Sequence, residues 1–431
     1  MMGKLMVNVV RFITSALFIF SGFVKAVDPL GTQYKISDYL IALGLDSLNS
    51  DMITLPASML ISAFEFCCGV FLLFSLHRRF VTRVIAALMV VMTLTTLWIA
   101  VADPISDCGC FGDAVVLGNT ETFIKNIVLM VFAVLLCRYD EYLIPLVRQS
   151  AQWVVINYTI VFIFIVSGYS IYFLPQFDFR PYYVGADIKK GMEIPEDAEQ
   201  PEFETTFVMS KGGVTKEFAL EDYPDSTWTF VENKTVMTKK GYEPPIHDFS
   251  LTLSDTGDDI TEEILSDTSF VYLVISPYLE KADDSNFGEM DRIYEYAIEK
   301  GYKFYGVTSS GEKAVERWRD LTGAEYKFCN ADAITLKTII RSNPGLVLLK
   351  DGIVIGKWSH NSLPSFDTTD EYMEKVHRES IEQKSVAQKV IEMLLWFFLP
   401  LVLLTLADRF YNIHGWLKKV LGKKENDKTD K

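Results

Sequence analysis

Two cysteines separated by one glycine, Cys108-Gly109-Cys110 in the string SDCGCFGD, are the residues of this chain best suited to chemistry. A thiolate is a nucleophile, and two thiols within reach of each other interconvert with a disulfide. A ring closed over a single intervening residue is very small and strained, and strained disulfides are the labile, oxidising ones. Gly109 supplies the backbone freedom that such a ring needs. The same spacing also suits an inert staple, or pairing of either cysteine with Cys67 or Cys68. No metal is expected, because zinc wants four ligands. The five histidines, His77, His247, His360, His377 and His414, are scattered and form no cluster with the cysteines.

Glu65 is the second candidate. It lies about ten residues into an apolar run, ISAFEFCCGVFLLF, where a carboxylate is costly and normally faces a helix bundle's interior with a partner. Lys25, near the outer end of the preceding apolar run, is placed to reach toward it. The pair would either relay a proton as a thiol turns over, or serve packing as an ion pair; a protonated Glu65 bonded to a backbone carbonyl is the third reading. Of the other four cysteines, Cys67 and Cys68 read as small-residue helix packing. Cys137 sits at a helix end expected to be cytoplasmic, and Cys329 reads as a buried core thiol.

The elements that must position these residues are membrane spans. Apolar runs at roughly 8–27, 55–76, 81–102 and 120–138 are each near the ~20 residues a helix needs to cross a bilayer. A fifth run covers 153–174 and a sixth 391–411, the sixth interrupted by Glu392 and Pro400. The first is not read as a cleaved signal, since further spans follow. Lys4, Arg78, Arg79, Arg83, Arg138, Arg148, Arg409 and the lysines from Lys418 to Lys428 fall on one side, while the short loops on the other side hold Lys35 and little else. By the positive-inside rule both termini are cytoplasmic, and the loops 28–54 and 103–119 lie outside together with 175–390. The expected setting is a bacterial inner membrane with its large domain in the periplasm. The basic tail, 412–431, is then a solvated cytoplasmic end.

Charge separates the chain into two materials. Residues 176–390 carry 24 Lys+Arg against 40 Asp+Glu, whereas the remainder carries 17 against 16. An acidic outer domain argues against nucleic acid as a partner. Within it, 175–244 reads as linker and a small β region, with strands in TTFVMSKGGVTKEFAL turning at Gly212-Gly213. From 245 to 385 strands and helices alternate. FVYLVI, YKFYGVT and YKFC read as strands separated by helices. After ADAITLKTIIRS, Asn343-Pro344 leads into GLVLLK, and Asp351-Gly352 turns it into IVIGKW. A charged helix near 370–390 leads to the sixth span.

Two resemblances follow from these motifs. Ser21-Gly22-Phe23-Val24-Lys25, Glu65 in its apolar run, and Cys108-Gly109-Cys110-Phe111-Gly112 together resemble the DoxX/MauE family over roughly 5–138. That resemblance implies a four-helix bundle engaged in maturing periplasmic proteins, notably in handling the disulfides of methylamine dehydrogenase, with other relatives tied to quinones. The layout is also similar to quinone-coupled disulfide generators, an analogy of architecture alone. The β-α-β-α-β-α-Pro-β-β-α order of 245–385 resembles the thioredoxin fold in its peroxiredoxin/TlpA-like version, with Pro344 where that fold has its cis-proline. The Cys-x-x-Cys expected after the first core strand is replaced by Ile275-Ser276-Pro277-Tyr278-Leu279-Glu280. A domain without thiols there cannot run dithiol exchange by the usual route, so it is expected to bind a partner, with the Pro344 region open to an extended peptide.

The expected fold class is therefore a membrane four-helix bundle with extra transmembrane helices and an α/β thioredoxin-like soluble domain. The leading expectation for function is thiol-disulfide or electron transfer between Cys108/Cys110 and a periplasmic protein, with Glu65 and Lys25 managing charge and a quinone as the acceptor. The alternative is a non-enzymatic assembly scaffold with a structural Cys-Gly-Cys disulfide. A transporter would want broken helices and repeated halves, which the sequence lacks.

Overall fold

The computed structural model describes residues 2–105, 108–195, 198, 202–211, 214–219, 229–239, 241–364, 388–407 and 410, with Met2 and 202–239 described by backbone alone. The expected helix near 370–390, up to residue 387, lies outside these residues, as do the hairpin glycines Gly212 and Gly213 and the basic tail.

Among the described residues six helices are long and apolar enough to cross a membrane: α1 (Met2–Val27), α3 (Asp51–Phe74), α4 (Arg78–Ala102), α5 (Asn119–Arg138), α6 (Gln152–Tyr172) and α12 (Gln388–Ala407). Large apolar side chains such as Leu94, Val131 and Ile165 stand exposed on them, as lipid-facing positions would. Between lipid-like side chains there is no hydrophobic drive to associate, so close approach of backbones decides the packing. Gly22 and Gly69 permit it between α1 and α3. A Cβ on Gly22 would collide with the Phe66 nitrogen, and one on Gly69 would lie 2.7 Å from the Ile19 nitrogen. Aromatic rings join α6 to α12, with the Phe162 and Phe397 centroids 4.7 Å apart.

The loop 28–54, expected as a connection, contains helix α2 (Pro29–Ala42). Its start signal is local: Asp28 caps the helix by accepting from the Gly31 N–H at 2.9 Å, and Pro29 occupies the first turn.

After α6 come a short helix α7 (Ile188–Met192) and a three-stranded antiparallel sheet in the order β2-β1-β3. Its strands are β1 (Glu202–Lys211), β2 (Val214–Ala219) and β3 (Thr229–Lys239). The first two form the expected hairpin, and β3 adds a third strand within the segment read as linker and a small β region.

The second sheet has six strands in the order β4-β7-β6-β5-β8-β9. They are β4 (Thr252–Leu253), β5 (Phe270–Ser276), β6 (Lys303–Thr308), β7 (Lys327–Asn330), β8 (Gly345–Lys350) and β9 (Ile353–Ser359). Strands β5, β6 and β7 are parallel; β8 and β9 are antiparallel to their neighbours. Helices α8 (Thr261–Leu265), α9 (Phe287–Glu299), α10 (Glu312–Thr322) and α11 (Ala333–Ile339) cover both faces. Alternate residues of β5 serve two cores: Leu273 and Ile275 pack with Leu336 and Ile339, while Tyr272 and Val274 pack with Ile293 and Trp318. The Asn343–Pro344 peptide bond is cis at the entrance to β8. This strand order and the proline are those of a thioredoxin-like domain.

The Pro344 region makes contacts with its own chain. The carbonyl of Asn343 accepts from the Asp283 N–H at 3.0 Å, and the Asn343 side-chain amide donates to the Tyr278 carbonyl at 2.9 Å. The chain's own segment after β5 thus takes one main-chain carbonyl beside the cis-proline.

Candidate functional site

The loop from Asp103 to Gly118 joins α4 to α5 and carries both cysteines. Gly109 has φ +64°, a conformation that places the flanking side chains on the same side at little steric cost. Cys108 and Cys110 are free thiols with sulfurs 3.1 Å apart, Cys108 half-buried and Cys110 buried. Each main-chain carbonyl of the pair is held. The Tyr39 hydroxyl of α2 donates to the Cys108 carbonyl at 2.9 Å and lies 3.4 Å from the Cys108 sulfur. Ser21 Oγ lies 2.7 Å from the Cys110 carbonyl.

Ser21 and Lys25 share one face of α1, four residues apart. Opposite them, the Gly22–Phe66 contact brings in Glu65 of α3. Lys25 Nζ donates to both Glu65 oxygens, at 2.8 and 2.7 Å, and to Ser21 Oγ at 3.3 Å. Ser21 Oγ also lies 2.8 Å from Glu65 Oε2; its single proton serves either the carboxylate or the Cys110 carbonyl. Glu65 is thus an ion pair with Lys25, buried on both sides. Its carboxylate has donors from Lys25 and Ser21, which answers the cost of its burial.

Lys125 of α5 closes the other side. Its Nζ sits 4.2 Å from the Phe111 ring centroid, and it lines, with Ser21, Glu65, Cys110, Phe111 and Asn126, a cavity of about 20 Å³. That is room for one water and not more. The Cys110 thiol is lowered to about 6, first by its hydrogen bond with Cys108 and then by the charges of Lys125 and Lys25, which outweigh burial. Cys108 is pushed up by the same shared hydrogen bond and by its own partial burial. One sulfur is thereby prepared to be a thiolate and the other a thiol.

All four residues picked from the sequence, Cys108, Cys110, Glu65 and Lys25, meet in this one cluster. Sequence reasoning missed Tyr39 and Lys125. Tyr39 belongs to a helix it did not expect, and Lys125 is one lysine in a span, given meaning only by its neighbours in space. Ser21 stood inside the quoted motif without a role. The other cysteines lie elsewhere: Cys68 packs with Phe18 and Leu72, Cys137 donates to the Thr82 carbonyl at 3.0 Å, and Cys329 is buried in β7, where desolvation pushes its thiol up to about 12. Among the described residues no three His, Cys, Asp or Glu side chains gather as a metal site.

Comparison with known proteins adds a family to this geometry. Residues 3–139 match the family model for the methylamine utilisation protein MauE. The MauE match covers the whole cysteine cluster and ends where α5 ends. Residues 203–240 match a domain of unknown function. A solution structure of a candidate protein disulfide isomerase from Bacteroides thetaiotaomicron is similar to part of the chain at 17% identity. It covers 32% of this chain and 87% of its own, with a TM-score of 0.23, so the thioredoxin-like assignment rests on the strand order above. No curated protein matches the chain.

The quinone that the bundle's resemblance implies finds no fit beside the cysteines. The cavity at Cys110 is far smaller than a quinone ring. A larger groove of about 550 Å³ runs between α1 and α12, lined by Ile19, Phe20, Phe23, Val24, Phe397 and Phe398 among others. Its lining side chains are all apolar, which suits a hydrocarbon chain but offers no side-chain donor to a quinone carbonyl.

Proposed function

We propose that the MauE-type bundle is a thiol-disulfide exchanger for proteins outside the cytoplasm, with Cys108 and Cys110 as the redox pair. The observation that carries this reading is the asymmetry of the pair: an accessible Cys108 beside a buried Cys110 that faces Lys125 and the Lys25–Glu65 pair. Starting from the disulfide, a partner's thiolate attacks Cys108 Sγ, the more exposed sulfur. A new bond forms between the partner's sulfur and Cys108, the Cys108–Cys110 bond breaks, and Cys110 leaves with the electron pair as a thiolate. A leaving thiol of lower pKa departs faster, and the two lysines favour its charge. The partner's second thiol, deprotonated, then attacks its own sulfur in the mixed disulfide, forms the partner's disulfide and releases Cys108, which takes up a proton. Two electrons have passed from the partner to the pair. The reverse sequence reduces a partner disulfide, and a second thiol-disulfide couple returns the pair to its starting state.

The charge pattern of the short loops supports an inner-membrane setting with the Cys-Gly-Cys loop and the thioredoxin-like domain in the periplasm and both termini in the cytoplasm. Ser21 and Tyr39, which hold both cysteine carbonyls, equally suit a structural staple, and that is the second reading. The two separate in one experiment. A Cys110→Ser variant of the full chain, expressed in its membrane, would trap a mixed disulfide between Cys108 and a substrate protein. Adducts that vanish in C108S/C110S support exchange. A chain that disappears from the membrane when the cysteines are removed, with no adduct ever trapped, sinks the exchange reading and leaves the staple.

A further inference from the structure

Arg341 lies in the thioredoxin-like domain, two residues before Asn343, yet its acidic partners belong to the membrane bundle. Its Nε reaches both oxygens of Asp28, at 3.1 and 2.9 Å, and Nη2 reaches Asp113 Oδ2 at 3.1 Å. Nη1 donates to the Lys337 carbonyl, and the guanidinium lies 5.3 Å over the Tyr34 ring of α2. The side chain is buried, 6% exposed, so a planar fork with every nitrogen engaged is held in one geometry. The neighbouring backbone is shaped to admit it: a Cβ on Gly31 would stand 2.9 Å from Arg341 Nη2 and 2.5 Å from Asp28 Oδ2. This contact is the inner part of a wider docking surface, where Lys281 also pairs with Asp51 at 2.7 Å.

Both carboxylates that Arg341 holds stand on segments that carry the cysteine site. Asp113 follows Cys110 by three residues in the same loop. Asp28 follows Lys25 by three residues at the end of α1 and caps α2, the helix whose Tyr39 holds the Cys108 carbonyl. Lys35 and Arg180 would still act on Asp113, but removing the guanidinium would take away the cation held between Asp28 and the more exposed Asp113. Their unbalanced charge disfavours a thiolate, which is a form of the reduced pair, and so favours the disulfide.

We propose that Arg341 is a positioning residue for the redox pair, through which docking of the thioredoxin-like domain sets the balance between the Cys108/Cys110 dithiol and its disulfide. The inference rests on the exchange reading above, since it needs a pair that cycles. It also gives the thioredoxin-like domain, whose segment directly after β5 (Pro277 to Glu280) holds no thiol, a role toward the bundle of its own chain. Because linkage is reciprocal, anything that lifts the domain away shifts the redox balance, and oxidation of the pair alters how tightly the domain docks.

The test uses the full-length protein in lipid nanodiscs, equilibrated over a series of reduced-to-oxidised glutathione ratios. Differential alkylation and peptide mass spectrometry then read the state of residues 108 and 110 alone. R341Q is expected to shift the equilibrium about tenfold toward the disulfide, within the usual range of coupling between sites. R341K keeps the charge without the fork and is expected to shift about threefold in the same direction. The double variant R341Q/D113N, which removes one unpaired carboxylate, should recover part of the R341Q shift. A folded R341Q within about twofold of the parent overturns the inference and leaves exchange standing. Should R341Q fail to accumulate, R341K decides, and an unchanged midpoint overturns it. A parent protein with no dithiol-disulfide transition anywhere in the series brings down the exchange reading itself.

Discussion

The bundle and the thioredoxin-like domain put their cysteines into opposite surroundings. In the loop before α5, Cys110 is enclosed by Lys25, Glu65 and Lys125 while its neighbour Cys108 remains reachable. In β7, Cys329 is packed in an apolar core, and burial pushes its thiol up to about 12 against about 6 for Cys110. Yet the fold associated with thiol exchange belongs to the second region. The contrast shows that reactivity follows the charges and access around a sulfur, whereas the fold supplies a scaffold that can be put to another use. Here the scaffold's cis-proline loop is turned toward the chain's own membrane bundle.

The largest effect that would test this comparison is on exchange itself. C108S/C110S is expected to abolish transfer of disulfides to or from substrate proteins, whereas C329A leaves it unchanged; trapped adducts counted by mass spectrometry decide. Equal losses in both variants would erase the distinction between the regions. Next comes the buried ion pair. Lys25→Met leaves Glu65 without its cation and is expected to cost about 3–5 kcal/mol, with K25M/E65Q recovering most of it. Thermal unfolding in nanodiscs measures both, and a single variant as stable as the parent would show that the pair is dispensable.

A smaller effect is expected from Gly22→Ala. Its methyl would press on the Phe66 backbone, part α1 from α3 and draw Lys25 away from Glu65, at about 1–3 kcal/mol. The same unfolding measurement applies, and stability equal to the parent's would mean that the helices yield freely. The smallest effect is on pH dependence. A thiolate exists above its pKa, so alkylation of Cys110 by a small reagent should rise with a midpoint near pH 6. Lys125→Met removes a cation that favours the thiolate, so the midpoint moves upward, by up to about one unit or ~1.4 kcal/mol. A midpoint that stays in place would remove Lys125 from the site and narrow the contrast with Cys329.

Much of the site was legible because membrane sequences restrict polar residues so severely. A carboxylate in an apolar run asks for a partner, and Lys25 was the cation placed to answer Glu65. The Cys-Gly-Cys string was legible from spacing alone. Tyr39 was hidden by reading 28–54 as a loop, although Asp28-Pro29 was a usable helix-start signal. Lys125 and Arg341 were hidden for a different reason: each is an ordinary residue of its own segment. Their meaning comes from Phe111 and Cys110 in one case and from Asp28 and Asp113 in the other, and neither neighbour shares a local pattern with it.

The sequence by itself determined the apolar runs, the acidity of 176–390, the strand-helix alternation from β5 onward and the absence of a thiol in Pro277 to Glu280, because these depend on local composition and periodicity. The tertiary structure alone decided which charges surround Cys110, and that Asn343 spends its hydrogen bonds on the segment after β5. It also decided that a buried arginine ties the soluble domain to the cysteine loop across more than two hundred residues of chain. Contacts of that kind rest on how closely helices approach and how domains dock. Those are set by shape complementarity at positions such as Gly22 and Gly31, whose identity carries no sign of what will lie against them.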